Sequence, residues 1–104
     1  LFTTNPNFET GAAGTEATGG GYARKAVIFT TASGAGGSTT GPTVQKVWTV
    51  GTDIAASTIT GWGVYDAATV GNLLFGDTFS SNKVLTGTGD TLTFAAGSIS
   101  FSLT

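Results

Sequence analysis

TGWGVYDAATVGNLLFGD, residues 60–77, is the stretch whose reading decides the fold. Ile59 to Tyr65 is rich in β-branched and aromatic residues, Ala67 to Asn72 is small and broken by Gly71, and Leu73 to Phe75 is apolar again. Two strand-like runs joined by a short glycine-containing connection predict a hairpin. Trp62 and Val64 fall on one face of its first strand, and Ile59 and Tyr65 on the other, with Gly61 and Gly63 between them. Two glycines on one face leave a shallow groove, which a neighbouring backbone or a bulky side chain is expected to fill.

Downstream, Leu73, Phe75, Asp77 and Phe79 alternate with Leu74 and Thr78, and Ser80-Ser81-Asn82-Lys83 reads as a polar turn before Val84 and Leu85. A further turn, Gly87 to Asp90, leads to the clearest alternation in the chain. Thr91, Thr93 and Ala95 alternate with Leu92 and Phe94, and after Ala96-Gly97 the serines 98, 100 and 102 and Thr104 alternate with Ile99, Phe101 and Leu103. This predicts a final hairpin over Thr91 to Leu103 with one apolar and one hydroxyl face, the apolar residues buried in a core sheet.

Upstream, Leu1 to Thr4 reads as a short strand and Asn5-Pro6-Asn7 as a turn. Phe8 to Gly21 has no periodicity and reads as a loop. Its Gly19-Gly20-Gly21 would cradle a phosphate only if a helix followed, whereas YARKAVIFTT, Tyr22 to Thr31, reads as a strand. Arg24 and Lys25 then point to opposite faces, and Arg24 is expected to pair with an acid such as Glu16 or Asp66 and fix a loop. Ala32 to Thr43 is a glycine-, serine- and threonine-rich surface loop, and Val44 to Val50 a strand with Trp48 in the core. The whole predicts one all-β domain over residues 1–104, an antiparallel β-sandwich or jelly-roll-like fold of about seven or eight short strands, with no helix beyond a single turn.

Composition narrows the chemistry. With no Cys and no His, the chain has neither a thiolate ligand nor the commonest base. Asp66 and Asp77 flank the central hairpin but nothing sets their separation, and Asp53, Asp66, Asp77 and Asp90 form no dense ligand run for a hard cation. Strand-end Asp is ordinary turn chemistry. No enzyme, metal or cofactor is therefore expected. A net charge of −2 with four dispersed cations excludes a nucleic-acid footprint, and no run approaches the 18 apolar residues of a membrane span. Charged residues make up only 10% of the chain, replaced by 17 Gly and 21 Thr. Such a neutral, hydrogen-bonding surface fits a protein packed against copies of itself or against a large assembly. The chain contains no Met, so a processed start or further upstream residues are expected.

LFTTNP (Leu1 to Pro6), TEATGGGYARKAVIF (Thr15 to Phe29), GWGVYDAATVGNLLFGD (Gly61 to Asp77) and GDTLTFAAGSISFSL (Gly89 to Leu103), in that order, resemble a family of small tailed-bacteriophage virion proteins. Its members are tail-fibre or minor structural proteins, comparable to capsid decoration or cement proteins. The motifs carrying the resemblance are Tyr22-Ala23-Arg24 after a glycine-rich turn and Tyr65-Asp66-Ala67-Ala68-Thr69-Val70-Gly71-Asn72-Leu73-Leu74. The resemblance implies a non-enzymatic virion component, assembled in the host cytoplasm. The expectation drawn from it is a capsid decoration protein that stabilises the head shell as a homo-oligomer, a trimer, on the major capsid protein. The alternative is a tail-fibre or minor tail protein with a receptor- or glycan-binding role. Phe8 to Gly21 and Ala32 to Gly41 are the expected contact arms, ordering on docking. The expected assembly contacts are Phe8, Glu9, Glu16, Tyr22, Arg24, Gly36, Gly37 and Thr39.

Overall fold

The central hairpin forms where its alternation places it. The structure, a computed structural model, describes residues 1–31 and 38–102. Among the described residues there are eight strands and no helix: β1 (Phe2–Thr4), β2 (Thr15–Glu16), β3 (Ser38–Gly41), β4 (Lys46–Thr49), β5 (Ser57–Tyr65), β6 (Leu73–Leu85), β7 (Thr91–Phe94) and β8 (Ile99–Ser102). β5 and β6 pair antiparallel and belong to a four-stranded sheet of order β2-β1-β5-β6. β3 pairs antiparallel with β8, and β4 pairs with β7. The fold is all-β, as the period-2 pattern requires.

The chain groups into two compact units, residues 1–24 with 48–92 and residues 25–47 with 93–104. The first holds most of the buried apolar side chains: Leu1, Phe2, Ala17, Trp48, Val50, Ile54, Ile59, Leu85 and Leu92. Trp48 is in this core, as its sequence position predicts, and its indole Nε1 donates to the Ala23 carbonyl at 3.2 Å. In the second, Ile99 and Pro42 are buried, and the Gly97 amide donates to the Pro42 carbonyl at 2.9 Å.

The glycine groove is filled as expected. The Phe2 ring lies against Gly63, Asn5 against Gly61 and the Phe8 ring against Gly76. A methyl on Gly63 would stand 2.6 Å from Leu73 Cδ1 and 2.9 Å from Phe2 Cε2. Phe2 in turn meets Phe8 edge-on at 6.5 Å and Tyr65 at 6.4 Å. The absent Cβ atoms therefore let an aromatic cluster sit directly on the sheet. Gly63→Ala is expected to cost about 1–3 kcal/mol by overpacking, read as a lowered urea midpoint at unchanged slope.

Four sequence expectations differ from the structure. Tyr22 to Thr31 forms no strand; its backbone bonds run from the Thr30 amide to the Thr40 carbonyl and from the Thr43 amide to the Ile28 carbonyl, 2.8 and 2.9 Å, while the Ala23 carbonyl is taken by the Trp48 indole. The expected loop Phe8 to Gly21 contains β2, which pairs Glu16 with Phe2. The expected polar turn Ser80 to Lys83 is not a chain reversal but part of β6. Because Ile59 faces Lys83 and Gly61 faces Thr78, Thr60 alone stands against Phe79 to Asn82, and the polar residues bulge there. The final hairpin has its strands and its turn, with the Ser98 amide on the Ala95 carbonyl at 3.1 Å, but the strands pair elsewhere. β7 joins β4 and β8 joins β3, so the turn is an arch between sheets. Ile99 is buried as expected; Leu103 and the side chain of Phe101 lie outside the described residues.

Candidate functional site

Pairing of β2 with β1 sets Glu16 opposite Phe2, and the chain then returns so that Tyr22 and Arg24 reach the same carboxylate. Arg24 binds Glu16 with both prongs of its guanidinium: Nε donates to Oε1 at 2.9 Å and Nη2 to Oε2 at 2.8 Å. The Tyr22 hydroxyl donates to Glu16 Oε1 at 3.0 Å and accepts from the Leu1 nitrogen at 2.9 Å. A two-pronged guanidinium–carboxylate contact fixes direction as well as distance. The fork's remaining nitrogen, Nη1, therefore points outward and donates to two carbonyls of the β5–β6 connection, Ala67 at 3.1 Å and Val70 at 2.7 Å. The guanidinium carbon also lies 3.8 Å from the Tyr65 ring centre, a cation–π contact.

The connection itself is closed by Asp66. Its Oδ1 accepts from the Asn72 amide at 2.7 Å, its Oδ2 from the Asn72 side chain at 3.0 Å, and its own amide donates to the Asn72 carbonyl at 3.1 Å. Within this ring Val70 is held at φ 55° and Gly71 at φ 70°. Positive φ is ordinary for Gly but strained for a β-branched residue. Val70 is nonetheless 86% exposed, and Leu74 just beyond the loop is 58% exposed. The arrangement holds an apolar tip out in water on a clamped loop. It contains no nucleophile–base pair, and among the described residues no cluster of His, Cys, Asp or Glu is arranged to hold a metal ion.

Charge follows from these bonds. Arg24's hydrogen bonds hold the Glu16 carboxyl below its ordinary value against the opposing effect of burial, and Glu16 in turn holds the Arg24 pKa up. Burial, reinforced by the Glu16 charge, raises the Tyr22 hydroxyl. Backbone donors lower Asp66, through Asn72, and Asp90, whose Oδ2 takes the Thr86 and Gly87 amides at 2.9 and 3.1 Å. Carboxyls depressed in the folded state contribute stability that is present above their unfolded pKa and lost as pH falls through the folded one. The contribution of these carboxyls to the melting temperature is therefore expected to hold from neutrality down to about pH 4.5 and to fall below it. In Glu16→Gln this acid limb should be shallower than in the parent chain, and an unchanged limb would remove Glu16 from the account.

The expected contact residues separate. Glu16, Tyr22 and Arg24 converge on the clamp, with Glu16 rather than Asp66 as the acid Arg24 selects. Phe8 packs on Phe2 and over Gly76. Glu9 is exposed, its amide capped by Asn7 Oδ1 at 2.9 Å. Within the arm Phe8 to Gly21, the Gly11 amide donates to the Asn7 carbonyl, the Ala17 amide to the Leu1 carbonyl, and the Gly19 carbonyl accepts from the Ala55 amide. Thr39 lies in β3, where its hydroxyl donates to the Thr30 carbonyl, and Gly36 and Gly37 lie outside the described residues. The apolar tip formed by Val70 and Leu74 was not among the expected contacts.

Residues 1–102 match the family described as podophage GP4 fiber I protein gp80. No curated protein and no solved structure matches the chain.

Proposed function

The chain belongs to the podophage fiber I protein family, a bacteriophage structural, virion-associated class, and from that membership we propose that it is a non-enzymatic component of the tail fibre. The observation that carries this reading is a family match running over nearly the whole chain, residues 1–102. It favours the fibre over the expected capsid decoration role, because low surface charge suits either assembly. The carboxylates support a structural role: Asp53, Asp66, Asp77 and Asp90 each accept a backbone amide, from Thr49, Asn72, Thr78 and Thr86. Glycan contact calls for an open aromatic platform, whereas Trp62 and Phe75 pack edge-on at 6.1 Å and are half-buried. The fibre component works as a homo-oligomer, a trimer, whose subunits bury apolar and backbone groups against one another and bind neighbouring virion proteins.

Copy number tests the reading. Quantitative protein analysis of purified virions should find a few to a few dozen copies, and antibody labelling should mark the tail. A stoichiometry near that of the major capsid protein, with label over the head, would return the protein to the shell. The isolated chain should degrade no host polysaccharide, and chelator should leave its melting temperature unchanged.

A further inference from the structure

Charge is divided between the two units. All six acids, Glu9, Glu16, Asp53, Asp66, Asp77 and Asp90, lie in residues 1–24 and 48–92, which carry only Arg24 and Lys83 in return, a net −4. Residues 25–47 and 93–104 carry Lys25 and Lys46 and no acid, a net +2. Each unit also exposes apolar side chains. In the basic unit Ile28 is 68% and Val44 is 65% exposed, and the bond from the Thr43 amide to the Ile28 carbonyl sets them on neighbouring segments. In the acidic unit Val70 and Leu74 stand at the loop end of the β5–β6 hairpin, between Asp66 and Asp77 in sequence.

We propose that copies of this chain assemble head to tail, the Ile28–Val44 surface of one copy seating on the Val70–Leu74 tip of the next. A contact between like surfaces would bring together two units of net −4 or two units of net +2, so charge favours the unlike pairing. Unlike surfaces generate a ring when the rotation closes, and three copies make the trimer of the fibre reading, on whose self-association this inference rests. Arg24 has a defined part here. By holding the carbonyls of Ala67 and Val70 it fixes the tip before docking, so little ordering entropy is lost on contact.

The test uses two doubly substituted chains, Ile28→Asp/Val44→Asp and Val70→Asp/Leu74→Asp. All four positions are exposed, so both chains should melt like the parent. In analytical ultracentrifugation the parent should assemble, and its association constant should fall about three- to tenfold between about 0.05 and about 0.5 M salt. Each variant alone should be monomeric. Their mixture should give a one-to-one dimer and nothing larger, because one intact contact remains. The natural absence of Cys adds a second measurement: Val44→Cys and Leu74→Cys chains, mixed and oxidised, should cross-link to each other in preference to themselves. Variants that assemble like the parent, or a mixture that stays monomeric while the parent assembles, would overturn the head-to-tail contact and leave self-association standing. A parent that is monomeric at every concentration would remove both.

Discussion

Phe2→Ala is expected to lower the stability of the protein by about 3–5 kcal/mol, the cost of truncating a buried ring. Phe2 is only 2% exposed, and its ring is shared among Phe8, Tyr65 and the bare backbone of Gly63. Its carbonyl accepts from the Thr60 hydroxyl at 3.3 Å, and its strand is pinned between β2 and β5. The cavity cannot collapse easily, because the glycine face offers no side chain to swing into it. Urea unfolding followed by tryptophan fluorescence measures the loss. A change below about 1 kcal/mol would mean that the cluster is not cooperative with the rest of the core.

Arg24→Ala is the second large effect, expected at about 2–4 kcal/mol. The substitution removes the two-pronged contact, leaves Glu16 half-buried with only Tyr22 as a donor, strips the loop carbonyls of their partner and uncovers the Tyr65 ring. Partial exposure of the pair keeps the cost below that of a fully buried one. Arg24→Lys should recover less than half of it, since an ammonium cannot reproduce the planar fork. A double-mutant cycle with Glu16→Gln should show about 1–3 kcal/mol of coupling, and hydrogen exchange at the Asp66 and Asn72 amides should quicken in Arg24→Ala. Independent, additive losses would show that Arg24 does not act through Glu16.

Sequence pattern located what depends on local period and composition. The Thr60 to Asp77 hairpin, the groove over Gly61 and Gly63, the burial of Trp48 and the pairing of Arg24 with an acid were all legible, because each follows from side-chain alternation or from the cost of leaving a group unmatched. What was not legible depends on which strand lies beside which. Tyr22 to Thr31 has the composition of a strand, yet the chain passes there from one unit to the other, and its bonds to Thr40 and Thr43 do not extend into a regular ladder. Ser80 to Lys83 has the composition of a turn, yet β5 is long enough to keep pairing with residues on both sides of the bulge. The two halves of the final alternation look like mutual partners, but alternation specifies a buried face and says nothing about the neighbour. The tip at Val70 was hidden for a different reason: a β-branched residue at positive φ contradicts local preference and is tolerated only because Arg24 and Asp66 hold the backbone on either side.

The chain crosses between its two units three times, at Arg24–Lys25, inside β4 between Val47 and Trp48, and inside β7 between Leu92 and Thr93. Two of those crossings fall within β4 and β7, strands that pair with each other. The two units are thus joined by three covalent tethers rather than one. Cutting any one peptide bond leaves two tethers intact, so a nick does not become a break.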